Sequence, residues 1–151
     1  MNMSAGSLST AKIISLLKYM AKCSTCLKMK TSSIIVKNSH IISIGYNDTH
    51  HTNDIINCGQ YWYDWYQRYH SSLSPTVPPF VHWISTDEFK HQHKIWSKTN
   101  EVHAEVRALN GIKLDTESEY KSNSKFKSKY KSEARIVMYS LHSPCIDCAN
   151  S

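Results

Sequence analysis

The succession of helical and extended patterns along this chain predicts an α/β layered domain, with helices packed on a mixed sheet. Three observations carry that expectation. Apolar residues near the start recur at three- and four-residue steps, β-branched runs follow as a pair and return near the end, and a further helical pattern lies between them. At 151 residues, 40% of them hydrophobic, one core is enough, and a single domain over 1–151 is expected.

From Leu8 to Cys23, Ile13, Ile14, Leu17, Met20 and Ala21 mark one face of a helix, with Ser9 or Thr10 as its cap. After CSTCLKMKTS come the run SIIVK (Ser33 to Lys37), the polar pair Asn38-Ser39 and the run HIISIGYN (His40 to Asn47). These read as a hairpin in which Gly45 ends or bulges the second strand. Residues 48–99 show no sustained period and read as an irregular insert. Within it, Tyr61, Trp62, Trp65, Tyr66 and Tyr69 suit a short amphipathic helix, and core packing is the simpler use of those rings than a base-stacking surface. A second long helix is expected to begin near Asn100 and to turn Ala104, Ala108 and Leu109 inward. Residues 115–134, rich in Lys and Ser, read as a solvated insertion, and RIVMYSL (Arg135 to Leu141) as a strand of the buried type.

A formal charge of +6 suits an anionic ligand, but charge alone leaves a nucleotide, a nucleic acid or no particular partner open. The longest apolar runs are a few residues long, so neither a membrane span nor a secretory leader is expected, and the chain reads as cytoplasmic. Five cysteines, Cys23, Cys26, Cys58, Cys145 and Cys148, then fit thiols or metal ligands better than a disulfide framework.

His103-Ala104-Glu105 and Pro144-Cys145-x-x-Cys148 are weak signals taken singly, since Cys-x-x-Cys also serves redox and structural zinc sites. Together, with the histidine near a helix start and the cysteines just after a strand, they form the H-x-E…P-C-x-x-C pattern of zinc nucleobase deaminases. The chemistry needs these residue types. Three ligands, His103, Cys145 and Cys148, leave a fourth tetrahedral position open on zinc, and Glu105 is a carboxylate beside that position to carry protons. Mid-helix residues two apart do not share a face, so His103 and Glu105 converge only if the helix starts beside them.

At these residues the sequence resembles a known family. CSTCLKMKTSSIIVKNSHIISIGYN is similar to the first strands of deoxycytidylate (dCMP) deaminases, and IWSKTNEVHAEVRAL with MYSLHSPCIDCA resembles their zinc-binding blocks. The likeness is greatest to the phage type, which shares an H-x-x-W-S-x-x-N-E-x-H-A-E run, here His93 through Glu105. The resemblance implies a cytidine-deaminase-like layered fold and the hydrolysis of dCMP to dUMP and ammonia, feeding thymidylate synthesis. It implies a catalytic zinc on His103, Cys145 and Cys148, with Glu105 as proton shuttle. It also implies substrate contacts at Asn47, Ala104 and Ser143, dCTP and dTTP as effectors, and a homo-oligomer.

Some phage-type enzymes carry a second, structural zinc, and Cys26, Cys58, His91 and His93 match its pattern, which would pin the 48–99 insert. The family continues past the cysteine pair, whereas this chain runs three residues further. The resemblance therefore implies a domain lacking the family's last strands and helices, with Arg135 to Leu141 as an open edge for a complementing chain. A nucleic-acid-editing deaminase and a non-catalytic zinc-binding remnant are the alternatives. The His-x-x-Trp-Ser run and Asn47 favour the free nucleotide, expected in the host cytoplasm if the gene is viral.

Overall fold

The computed structural model describes residues 8–50, 57–70, 78–112 and 135–142. Cys145, Cys148, Ser143 and the 115–134 insertion lie outside the described residues.

The first helix, α1 (Thr10–Ala21), starts where Ser9 Oγ accepts from the Lys12 amide at 3.3 Å, and it buries Ile13, Leu17 and Ala21. Ile14 stays 44% exposed, because the face set by Ile13 and Leu17 already covers the sheet. Strands β1 (Ser32–Lys37) and β2 (His40–Tyr46) pair antiparallel through a two-residue turn in which Asn38 and Ser39 both take positive φ, 51° and 67°. A register shift falls between Ile35 and Val36, where β2 carries the extra residue Ile42, so the bulge lies there rather than at Gly45.

Two strands of two residues follow in chain order around a long excursion. They are β3 (Asp48–Thr49) and β4 (Glu101–Val102), paired antiparallel, and the His50 amide extends their ladder by donating to the Asn100 carbonyl at 2.9 Å. Between them the chain is helical where described, with α2 (Cys58–His70), α3 (Phe80–Trp83) and α4 (Asp87–Asn100). This corrects the irregular insert expected over 48–99. The inward seam of α4 is Phe89, His93 and Trp96, an i, i+4, i+7 stripe in which a buried histidine stands where the periodicity calls for an apolar residue. Thr86 caps the helix by accepting from the Phe89 amide at 3.3 Å, and Asp87 and Glu88 occupy its first turn.

The next helix, α5, runs over residues 104–112 of the described chain, four residues after the expected start, because α4 ends and β4 intervenes. Ala104 and Ala108 face inward as expected. The last described strand, β5 (Ile136–Ser140), pairs antiparallel with β1 to give the order β2-β1-β5. Among the described residues no parallel pair occurs.

The two faces of this sheet carry different helices. Ile34 and Val36 meet Ile13 and Leu17 of α1, with Tyr139 packed beside them. On the opposite face Ser43 Oγ donates to the Ala108 carbonyl at 2.6 Å, and Gly45 lies against the backbone of Ala104 and Ala108. A Cβ at Gly45 would collide with both, so glycine is there for close helix approach. Because α5 lies over β2, Met138 and Ile136 of β5 remain 36% and 56% exposed, and β5 is only half buried. The aromatic residues form a second core. Trp62, Trp83, Phe89 and Trp96 are buried with Cys26 and Cys58, so the rings pack inward instead of offering a stacking surface.

Candidate active site and metal centre

The strand β4 leads directly into α5, and the stretch from Glu101 to Glu105 feeds two clusters of reactive groups. His103 precedes the helix, and its carbonyl accepts the first helical hydrogen bond, from the Arg107 amide at 3.1 Å. His103 is thus the cap residue and Glu105 the second helical residue, the one arrangement in which side chains two apart turn toward the same space. Glu105 is 5% exposed. Both residues line a cleft of about 850 Å³, together with Asn47, Thr31, His50 and Val106.

Asn47 is buried, its Oδ1 accepting from the Thr31 amide at 2.9 Å and its Nδ2 donating to the Met29 carbonyl at 2.8 Å. It therefore pins the loop between α1 and β1 as well as lining the cleft. Ala104 is buried under Gly45. Arg107 reaches across from α5 to donate through Nη2 to the Thr49 carbonyl at 2.9 Å, which ties this helix to β3.

The second cluster lies in the aromatic core beside the same cleft. Cys26 Sγ is 3.6 Å from His93 Nε2, Cys58 Sγ is 3.3 Å from it, and Glu101 Oε1 is 3.5 Å from it. The four donor atoms lie within 4.8 Å of one another. Of the four residues expected from sequence, three are brought together. His91 is exposed, since residues two apart on α4 point to different faces, and the fourth donor is Glu101. Glu101 stands inside the His93 to Glu105 run, but it reaches His93 only because β4 turns back beside the end of α4.

These separations suit a metal. Bonds of about 2.0–2.3 Å at tetrahedral angles put neighbouring zinc ligands roughly 3.3–3.8 Å apart, and the three distances from His93 fall in that span. The Leu27 amide points at Cys58 Sγ and the Met29 amide at Cys26 Sγ, each at 3.5 Å, as donors that stabilise thiolate charge. Glu101 Oε1 and His93 Nδ1 are buried without a hydrogen-bond partner, which leaves the carboxylate oxygen available to a cation.

Titration is strongly perturbed here. The hydrogen bond from Cys58 lowers Cys26 to about 3 against the opposing effect of burial, and His93 adds to the lowering. Cys58 is pushed far above the thiol range by the proton it shares with Cys26 and by burial. Burial works against a charged His93, yet Cys26 and Glu101 outweigh it and raise the ring to about 9. Glu101 is raised, chiefly by burial. Two sulfurs, an imidazole and a carboxyl packed among tryptophans are costly to charge without compensation, and a divalent cation at their centre supplies it.

Comparison with known proteins places the chain in a family. Residues 9–151 match the family described as the cytidine and deoxycytidylate deaminase zinc-binding region. The deoxycytidylate deaminase of Enterobacteria phage T4 is 29% identical over 143 residues, covering 85% of this chain and 63% of that protein. Its counterpart from Enterobacteria phage T2 is 28% identical over 143 residues, covering 85% and 65%. This chain thus spans less than two thirds of the length of these relatives. Among solved structures, dCMP deaminase from the cyanophage S-TIM5 superimposes in its apo form with a TM-score of 0.47 at 20% identity, over 91% of this chain and 68% of that one. In complex with dCMP and dUMP the TM-score is 0.49 at 19% identity, over 98% and 74%.

Proposed function

Because the chain belongs to the cytidine and deoxycytidylate deaminase family, we propose that it hydrolyses dCMP to dUMP and ammonia, supplying dUMP for thymidylate synthesis. One observation carries the reading. A buried carboxylate, Glu105, and an imidazole, His103, share one cleft at the start of one helix, where their side chains can act on the same atom.

His103 would hold a catalytic zinc together with Cys145 and Cys148, and zinc at such a site would acidify water to near neutrality. Glu105 accepts a proton from the attacking water and delivers it to ring N3 of cytosine. The C4–O bond forms, Glu105 takes the second proton from the new C4 hydroxyl and passes it to the exocyclic nitrogen, and the C4–N bond breaks to release ammonia as the C4 carbonyl forms. Burial of Glu105 keeps bulk water from competing for those protons. Asn47 and the backbone at Ala104 and Ser143 would orient the sugar and base.

The rim of the cleft favours a nucleotide over a nucleoside. Lys28 comes from the loop after α1, Lys94 and Lys98 lie one turn apart on α4, and all three line the cleft, complementing a 5′-phosphate. The second cluster, Cys26, Cys58, His93 and Glu101, would hold a structural zinc, because its donors form a closed set with no open position.

The test is turnover of dCMP, deoxycytidine and a cytosine-containing single-stranded oligonucleotide by the zinc-loaded chain. Conversion of dCMP is expected to lead, and Glu105→Ala is expected to lower it by roughly 10²–10⁴-fold with zinc content unchanged. Turnover confined to the oligonucleotide would overturn the reading in favour of a polymer-editing enzyme.

A further inference from the structure

We propose that Thr25 and Asp48 are positioning residues that lock the Cys26, Cys58, His93 and Glu101 centre onto β4, the strand that leads into His103. The proposal rests on the reading of those four donors as a metal centre.

The observation is a short chain of hydrogen bonds between segments distant in sequence. Thr25 Oγ1 donates to Asp48 Oδ1 at 2.6 Å and accepts from the Cys58 amide at 3.3 Å. The same Asp48 oxygen accepts from the Thr49 amide at 2.9 Å, so the carboxyl group is held against its own strand. Asp48 is 8% exposed, and its backbone pairs with Val102, the residue between Glu101 and His103.

Each link has a physical purpose. Cys58 is the first residue of α2, and its amide is one of the orphan donors that every helix start leaves unsatisfied. The Asn57 side chain serves the Gln60 amide at 2.8 Å, and Thr25, from the loop beside Cys26, serves Cys58 itself. One hydroxyl therefore fixes the position of the Cys58 sulfur relative to Cys26, its neighbour in sequence. Through Asp48, the same hydroxyl is anchored to the β3–β4 ladder. That ladder carries the Glu101 ligand on one side of Val102 and His103 on the other. The relay thus links the Cys58 backbone to the β3–β4 ladder, and so to the strand that leads into α5, without passing through the four donors themselves.

Thr25→Val keeps the shape of the side chain and removes the hydroxyl, while Thr25→Ser keeps the hydroxyl. Asp48→Asn retains an acceptor that Asp48→Ala lacks. Zinc affinity, read by chelator competition on the full chain, is expected to fall by about 10–100-fold in Thr25→Val and Asp48→Ala, with Thr25→Ser and Asp48→Asn close to the unaltered protein. Cobalt(II) substituted at the centre should show a displaced thiolate charge-transfer band in Thr25→Val and a restored one in Thr25→Ser. A purely structural role would lower stability without moving that band. Cys58→Ser separates the two ways of failing. If it removes one bound metal and Thr25→Val leaves affinity and spectrum unchanged, the relay is wrong and the centre stands. If Cys58→Ser leaves metal content unchanged, the centre itself is wrong and the relay falls with it.

Discussion

The sheet layer and the helical excursion are held together by different means. In the first, β2, β1 and β5 are joined in one hydrogen-bonded sheet, and aliphatic Ile13, Leu17, Ile34 and Val36 close over one face. In the second, the only ladder among the described residues is the two-residue pair β3–β4. The rest is ring against ring around His93, with Trp62 stacked at 6.1 Å and Phe89 at 5.4 Å. A region with so little cross-strand bonding places its most polar groups at its centre, where they can be satisfied by a cation and by little else. The difference teaches that the excursion depends on its ligands in a way the sheet does not.

The largest effect expected from that comparison is on removal of the metal proposed at the Cys26, Cys58, His93 and Glu101 centre. Structural zinc contributes apparent free energies of about 10–16 kcal/mol in small zinc-dependent folds, so chelation or Cys58→Ser should disorder α2 to α4. Near-ultraviolet circular dichroism from Trp62, Trp83 and Trp96 should collapse while amide protection in β1 persists. Equal loss in both regions would break the distinction.

An intermediate effect is expected on the other side. Gly45→Ala drives a Cβ into the backbone of Ala104 and Ala108, and overpacking of this kind costs about 1–3 kcal/mol. The substitution should lower the melting temperature and also reduce dCMP turnover, because α5 carries Glu105. Metal content at the Cys26 centre should not change. The smallest effect is expected at Ser9, whose cap on α1 is exposed. Ser9→Ala should cost about 1 kcal/mol in chemical denaturation and leave turnover and metal binding as they were.

Legibility in the sequence followed the same division. The α1 face and the β1–β2 hairpin are local patterns, written as apolar periodicity and an Asn-Ser turn, and they appear within one or two residues of their expected limits. The helix α4 was hidden because His93 occupies a seam position and interrupts the apolar count, although Thr86, Asp87 and Glu88 announce its start. Cys26, Cys58 and His93 were found through the resemblance, and Glu101 was missed because nothing local marks a carboxylate as a ligand.

What the sequence carried by itself is the family pattern, a histidine, a glutamate and a cysteine pair at the spacing of the zinc deaminases. Only the tertiary structure brought Glu101, not His91, to Cys26, Cys58 and His93. It also decided that Thr25 and Asp48 connect that set to β4. Ligand geometry and hydrogen-bond relays depend on distances between segments far apart in the chain, and those distances exist only once helices, strands and rings have packed.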